Sequence, residues 1–392
     1  MQRTERHIIV NSEIIDGLCF KSKNLYNLAN YHIRKEFINN GKWLRYGKID
    51  KLLQVTDAYK VLPSNTSQQI LMLLDKNWNS FFRAIKAWKR NPEKFLGRPK
   101  LPKYKHKVNG RNIVIFTNYQ AKLKNGKIYF PKKSGLKPLQ TNVDNICQVR
   151  IVPNATCYVI EVVYKKEIKN VLLDNKAYLG IDLGLNNFAA CINNIGLNPF
   201  VINGRIIKSI NQFYNKKKAE LQSFIGGEGT SKRINHLTHR RNNKVDDYLH
   251  KTSRIIINYC VQHGVKTIVV GKNKNWKQEI NIGKRNNQHF VSIPFAKLIN
   301  QLKYKGEEVG IIVEETEESY TSKCSFLDLE IIGKSEKYLG KRIKRGLFKA
   351  SNGKLINADV NGSYNILRKV FPNAFSNGIE GVGLHPVKVN IA

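Results

Sequence analysis

Three short segments, far apart in a chain of 392 residues, each carry acidic residues in a setting suited to gripping a metal ion over a phosphodiester. They are Asp182 in YLGIDLGLNNFAA, the glutamates 314, 315, 317 and 318 in VEETEESYTSKCS, and Asp359 in INADVNGSYNILRK. Two-metal hydrolysis of a phosphodiester needs carboxylates from separate elements to converge, holding ions about 3.5–4 Å apart over the scissile phosphate. Mg²⁺, which prefers hard oxygen ligands, suits such a set. Each acid also has an ordinary reading: a surface aspartate beside a turn, a solvated strand end, and a helix cap. Against 67 Lys+Arg and only 29 Asp+Glu, a formal net charge of +38, the few acids in structured segments need a reason to be there.

The elements that must position these acids are legible in outline. Asp182 alternates with Leu179, Ile181 and Leu183, which predicts a strand; its own face carries Gly180 and Gly184, which would let a phosphate approach the carboxylate. The glutamates end the apolar strand VGIIV, and KTIVVG is a further strand. Asp359 precedes a helix marked on one face by Val360, Tyr364 and Leu367. A long basic helical stretch carries Phe213, Tyr214, Leu221, Leu237, Val245, Leu249 and Ile256 at core spacings, so this part of the chain reads as α/β. Upstream, HIIV ends a first strand, and residues 11 to about 99 read as helical, with Ser64 and Ser67 as caps for a helix containing Ile70, Leu74, Trp78 and Phe81. NIVIF, KIYF, CQVRIV and TCYVIEVVYKK then supply strands for a small barrel, which the N-terminal strand would complete around a helical insertion.

Between the helices and these strands lies KRNPEKFLGRPKLPKYKHK, whose prolines break the helical pattern. A solvated loop is its plain reading; Phe95 and Tyr104 interleaved with Lys89, Arg90, Arg98, Lys100, Lys103 and Lys105 favour contact with nucleic acid. A pI of about 10.0, with cations spread along the whole chain, suits a protein that wraps a long polyanion. A membrane surface is the weaker partner, since no apolar run reaches the ~18–20 residues of a spanning helix and the N-terminus is no signal peptide. No two of the six cysteines are spaced as CxxC, so they read as reduced cytosolic thiols and no structural zinc is expected.

GIDLGLNNFAA, ESYTSKCS and NADVNGSYNILRK, in this order, resemble the three blocks of the RuvC-like nuclease domain of TnpB proteins, the OrfB family of RNA-guided nucleases related to Fanzor proteins and type V CRISPR effectors. GRPKLPKYK is similar to the basic connector of that family. The resemblance spans essentially the whole chain and implies a multidomain α+β protein. A wedge-type β-barrel (residues 1–10 and 100–175) would be interrupted by a helical recognition lobe (11–99). An RNase H-like (RuvC) α/β nuclease domain (176–392) would follow, with a target-nucleic-acid-binding insertion at about 321–357. It further implies a bound guide RNA, a target DNA whose two strands are both cut, two Mg²⁺ ions, and a cytoplasmic, nucleoid-associated protein. Asp182 and Asp359 match the first-block and third-block aspartates. The middle block departs from the pattern: where relatives place a glutamate after a strand, KTIVVGKN has Gly271. Some relatives place it just upstream of TSK instead, which points to Glu318, with Glu317 and Glu279 as alternatives. The zinc-ribbon cysteine pairs are also missing. Cys324 stands alone, so the insertion must pack through Phe326, Leu329, Tyr338, Leu347 and Phe348, and its run Lys341, Arg342, Lys344 and Arg345 offers a face for DNA. The same resemblance also admits a nuclease-inactive RNA-guided DNA binder.

Overall fold

The computed structural model describes residues 1–168, 175–273, 283–376 and 378–391, with backbone only at 284–286 and 289. The chain divides into two compact units, Met1–Lys166 and Glu167–Ala392.

In the first unit, strand β1 (Gln2–Ile9) leads into helices α1 (Glu13–Asn40), α2 (Tyr46–Leu53), α3 (Asp57–Lys60) and α4 (Ser64–Arg90). Ser12 caps α1 by accepting from Ile15 N, and Gly41 ends it in the left-handed region that a side chain would disfavour. The expected caps of α4 do not form. Pro63, extended at φ −59° and ψ 134°, is its N-cap, Ser64 is already helical, and the Ser67 hydroxyl donates to Tyr59 O. A proline's fixed φ starts that helix without a side-chain acceptor. Six strands follow: β2 (Val114–Thr117), β3 (Lys122–Lys124), β4 (Lys127–Tyr129), β5 (Leu139–Gln140), β6 (Ile146–Pro153) and β7 (Tyr158–Lys165). β1, β7, β6 and β2 form an antiparallel sheet in that order, and β3, β4 and β5 a smaller one. The helices are thus inserted between the first strand of the sheet and its second. Trp78, Leu25, Ile33, Phe116, Val149 and Val162 share one core beneath them.

The second unit is built on six strands: β8 (Tyr178–Leu183), β9 (Asn187–Asn193), β10 (Phe200–Asn203), β11 (Thr267–Gly271), β12 (Ile312–Thr316) and, far along the chain, β16 (Val387–Val389). Their order is β12-β11-β8-β9-β10-β16. β8, β9 and β10 run antiparallel, whereas β11 joins β8 and β12 joins β11 in parallel. Helices α5 (Arg205–Ser223) and α6 (Lys232–Gln262) intervene before β11, and α7 (Lys284–Ser292) and α8 (Phe295–Val309) before β12. Leu249, Ile256 and Ile257 of α6 and Leu298 and Leu302 of α8 cover one face of the sheet. The last helix, α9 (Ala358–Val370), covers the other with Tyr364, Ile366 and Leu367 against Tyr178, Ile192 and Val269. Burial on both faces is why LGIDL, FAACIN and TIVVG are apolar almost throughout.

Ahead of α9, β13 (Lys341–Lys344), β14 (Leu347–Lys349) and β15 (Leu355–Asn357) make a small antiparallel sheet. Phe326 and Phe348 are buried there as expected, and Tyr338 and Leu347 are partly covered. Leu329 is not part of that core: it lies 49% exposed, at a positive φ in a turn, and its carbonyl, rather than its side chain, is what Arg368 engages. Cys324 is fully buried, its thiol directed at the carbonyls of Ile331 and Gly333. Among the described residues no helix is long and apolar enough to cross a membrane.

The two glycines flanking Asp182 serve packing rather than ligand approach. A Cβ on Gly180 would lie 2.7 Å from Ser363 O and 3.1 Å from Leu367 Cβ, both on α9; one on Gly184 would lie 2.7 Å from Asn187 O across the β8–β9 turn. Gly180→Ala should therefore push α9 off the sheet and cost about 1–3 kcal/mol, the range for overpacking a tight core. Denaturant unfolding of the variant, if unchanged in midpoint, would show that α9 does not need this close approach.

Candidate functional site

Because β8, β11 and β12 are parallel, their C-terminal ends share one edge of the sheet, where open α/β folds place ligands. Asp182 sits at that end of β8, Gly271 ends β11, and Glu318 follows β12 by two residues. Asp182 lies against α9: its Oδ2 is 2.9 Å from where a Cβ on Gly362 would be, so the glycine of NGSYN makes room for the carboxylate. Desolvation raises its pKa well above the ordinary aspartate range; repulsion from Glu318, then from Asp359, adds to the rise, and Arg342 opposes it.

The four glutamates take different roles. Glu314 is exposed. Glu315 pairs with Lys272 and Lys303, each at 2.5 Å. Glu317 turns to Lys369 at 2.8 Å, and that hydrogen bond keeps its carboxyl below the usual range. Glu318 alone points inward. Its backbone N–H donates to Asn273 Oδ1 at 3.0 Å, while Asn273 Nδ2 donates back to Glu318 Oε1 at 3.1 Å. Its other oxygen, Oε2, is buried with no hydrogen-bond partner. A Cβ on Gly271 would stand 2.6 Å from Ile366 Cδ1 of α9 and 2.9 Å from that oxygen, so Ile366 and the Glu318 carboxylate share the space that a side chain at 271 would need. Glu279 lies outside the described residues.

Asp359 is freed from capping by its neighbour. Asn357 is the N-cap of α9 and accepts from Asp359 N and Val360 N at 3.0 and 3.2 Å. The Asp359 carboxylate accepts instead from Asn187 Nδ2 at 2.7 Å and from Arg342 Nη2 at 3.2 Å. Sequence reasoning placed Arg342 on a DNA-facing run; the structure puts its guanidinium on an acid of the site. Lys341, Lys344 and Arg345 are exposed on the same hairpin, and Lys89, Arg90, Arg98, Lys100, Lys103 and Lys105 are exposed in the first unit.

Sequence reasoning also missed the asparagines that hold the segments together. From α9, Asn361 accepts from Phe326 N and donates to Cys324 O at 2.9 Å each. One turn on, Asn365 Nδ2 donates to Thr321 O and Cys324 O at 2.9 and 2.8 Å. Both amides are fully buried, and Phe326 stacks on Tyr364 with ring centroids 4.2 Å apart. The Asn-x-x-x-Asn spacing in NGSYN, one helical turn, was the available signal. Through these bonds α9 fixes the TSKCS turn, and with it the approach of Glu318. Asn187 in GLNNFAA was likewise visible in the motif but had no partner until folding.

The arrangement is a set of acids on three separated segments, mutually repelling at the end of a sheet, with one buried carboxylate oxygen left unpaired. Such an oxygen is costly without a cation or donor, and hard carboxylate ligands match a divalent ion. Among the described residues, no three His, Cys, Asp or Glu side chains are already drawn together at metal-binding distance. Asn187 and Arg342 engage Asp359, and Asn273 engages Glu318.

Comparison with known proteins places the chain. Residues 161–277 match the OrfB_IS605 family, described as a probable transposase, and residues 295–366 match the Cas12f1-like TNB domain. A TnpB-like protein of Acidianus two-tailed virus is 24% identical over 397 residues, covering 89% of this chain and 81% of the viral protein. Another TnpB-like protein, from Methanocaldococcus jannaschii, is 27% identical over 168 residues, or 42% of this chain and 57% of that one. The fold is similar to that in a cryo-EM structure of a Cas12f1–sgRNA–target DNA complex, with a TM-score of 0.56 at 15% identity, covering 91% of this chain and 82% of that one. Motif blocks, matched segments and fold agree on one class, a multidomain α+β protein. By these matches the chain is similar to TnpB-type proteins.

Burial, then repulsion from Glu317, pushes the Glu318 carboxyl up to about 7 from an ordinary 4.5. The folded protein therefore keeps a proton that the unfolded chain has lost between those values. Stability from this group is complete below about pH 4.5 and is lost as pH rises through about 7, a swing on the order of 3 kcal/mol. In cation-free buffer, the melting temperature of the wild type should fall by several degrees between about pH 5 and pH 8 relative to Glu318→Gln. Parallel curves for the two proteins would mean that Glu318 is ionised throughout.

Proposed function

We propose that the protein is an RNA-guided DNA endonuclease in which Asp182, Glu318 and Asp359 hold two Mg²⁺ ions at the end of an RNase H-like (RuvC) sheet. The observation that carries this reading is the exchange at position 271. The strand end that is expected to carry the middle glutamate is a glycine, and the carboxylate of Glu318 lies beside it, 2.9 Å from where its Cβ would stand. A chain that had simply lost the acid would have no physical need to return another to the same place and leave it desolvated. The order β12-β11-β8-β9-β10 with α9 behind it is consistent with the RNase H-like assignment for 176–392. The sheet of the first unit, with its inserted helices, is consistent with a wedge barrel (1–10 and 100–175) around a recognition lobe (11–99).

Bound divalent ions would supply a water ionised at neutral pH and countercharge for the leaving oxygen. The protein's own groups prepare for that chemistry. Burial raises the proton affinity of Asp182 and Glu318, and a divalent ion placed between them would favour their charged forms. Asn187 and Asn273 set the angle of the Asp359 and Glu318 carboxylates. Arg342, beside Asp359, brings a cation that a phosphate oxygen would also accept. The guide RNA and the target DNA would lie on exposed cations such as Lys103, Lys105, Lys341 and Arg345, because sequence is read by base pairing and the protein needs mainly backbone contacts.

Guide-loaded protein with a matched plasmid and Mg²⁺ should cut both strands. Asp182→Ala and Glu318→Ala should each lose about 10³-fold or more in rate, consistent with several kcal/mol of transition-state stabilisation, while target binding persists. Gly271→Glu combined with Glu318→Ala and with Ile366→Val, which removes the Cδ1 that the new Cβ would strike, should recover part of that loss by returning the carboxylate to the strand end. Full activity in Glu318→Ala would move the role to Glu317 or Glu279.

A second reading, a nuclease-inactive RNA-guided DNA binder, draws on the Arg342–Asp359 pair, in which a guanidinium already engages one of the acids. Tight binding of the matched plasmid without any nicking in Mg²⁺ selects it.

A further inference from the structure

The basic connector is not a loose loop but is bonded along a helix. One stripe of α1, residues 16, 19, 23, 27, 30 and 34, follows helical spacing, and each member bonds to the segment 102–112. Asp16 takes both arms of Arg111 at 2.7 Å. Cys19 O accepts from Asn112 N at 3.1 Å. Lys23 Nζ donates to Lys107 O at 2.6 Å, Asn30 Nδ2 to Pro102 O at 3.0 Å, and Arg34 Nη1 to the same carbonyl at 3.4 Å. Asn27 does what a neighbouring strand would do. Its Nδ2 donates to Lys105 O and its Oδ1 accepts from Lys105 N, both at 2.8 Å.

Two features mark this as more than a tied-down linker. Lys23 is only 2% exposed, and its ammonium sits between a carbonyl of the strap and the face of Phe20, 3.7 Å from the ring centroid. Burying an ammonium to hold a connector is an expensive fastening unless the connector's geometry matters. Secondly, residues 98–112 contain no acid, and Arg98, Lys100, Lys103, Lys105 and Lys107 are all exposed. With the backbone of Lys105 consumed by Asn27 and that of Pro102 by Asn30 and Arg34, the lysine side chains are what the strap offers to solvent. In extended chain, alternate residues 103 and 105 repeat on one side about 6.6 Å apart, a spacing of the same order as successive phosphates on one strand.

We propose that this strap is a pre-organised rail for the phosphodiester backbone of one nucleic-acid strand. Lys103 and Lys105 make the phosphate contacts, and Asn27 is the positioning residue that presents them. The inference rests on the nucleic-acid-binding part of the proposed function and is independent of cleavage.

It can be tested with the full chain carrying Asp182→Ala, using a fluorescein-labelled single-stranded RNA of about 20 nucleotides and, separately, a DNA duplex of similar length. Affinity is read across a salt series. Lys103→Ala/Lys105→Ala should reduce the slope of log K against log[salt] by about 1.4, two contacts at roughly 0.7 each for single strands. Asn27→Leu should weaken binding several-fold in the parent yet change little in the double-lysine background, the non-additivity expected of a residue that acts through those lysines. A purely structural asparagine would lower the melting temperature and weaken binding equally in both backgrounds, which overturns the positioning role. A slope change seen with RNA alone assigns the rail to RNA, and one seen with duplex alone assigns it to DNA. If the parent binds with a steep salt dependence and the lysine pair changes neither slope nor affinity, the rail is wrong and the proposed function stands. If the parent binds neither probe, both fall together.

Discussion

Repulsion between partly buried carboxylates is the constraint on which the second unit turns. Burial, then Glu318 and Asp359, raise the proton affinity of Asp182, and burial with Glu317 raises that of Glu318, at the end of a sheet whose strands are apolar on both faces. Left alone, two such acids would part or drag water in. They stay because α9 is bolted to both sides of them. It approaches β8 through Gly180 and Gly362, which lack the side chains that would keep it away, and it grips the TSKCS turn with Asn361 and Asn365. The energy that holds the acids together therefore comes from packing and from buried amide hydrogen bonds elsewhere, and the acids themselves are a stored cost.

This explains why the three motif blocks are written as they are. NADVNGSYN is not only an aspartate before a helix. Asn357 takes over the cap so that Asp359 is free, Gly362 clears space for Asp182, Ser363 donates to Ala190 O and Asp359 O, and the two later asparagines bind the middle block. One helical segment thus registers the strand of the first block against the turn of the second. The lone Cys324 belongs to the same logic: in a segment without paired cysteines, its buried thiol and the Phe326–Tyr364 stack fill the place with ordinary core contacts.

The first unit shows a comparable division between fastening and display. The helices and the sheet share a core around Trp78, whose indole N–H is satisfied by Asn30 at 3.1 Å. Asn30 is also one of the residues that hold the basic connector, so a single buried amide ties core, helix and strap. The cations of the strap are consequently presented from a scaffold whose own polar groups are satisfied, which lowers the ordering cost of binding a polyanion.

Much was open to reading in one dimension. Alternation around Asp182, the apolar runs of β11 and β12, and the helical spacing after Asp359 are local patterns, and local patterns survive without coordinates. So did the basicity of the connector and the absence of CxxC pairs. What the linear order could not supply was pairing. Gly180 and Gly184 looked like space for a phosphate because nothing in their neighbourhood names Ser363 or Asn187 as the atoms that fill it. Ser64 looked like a cap because Pro63 had not yet been seen to start the helix. Leu329 looked like core because its type is apolar, while the fold needed only its carbonyl. The four glutamates were indistinguishable by type; their separation into Glu315 and Glu317 on lysines and Glu318 beside Gly271 depends on residues 12 to 52 positions away. Residue chemistry and period are properties of the chain itself. Which acid is desolvated, and which oxygen is left without a partner, are decided only when distant segments compete for the same volume.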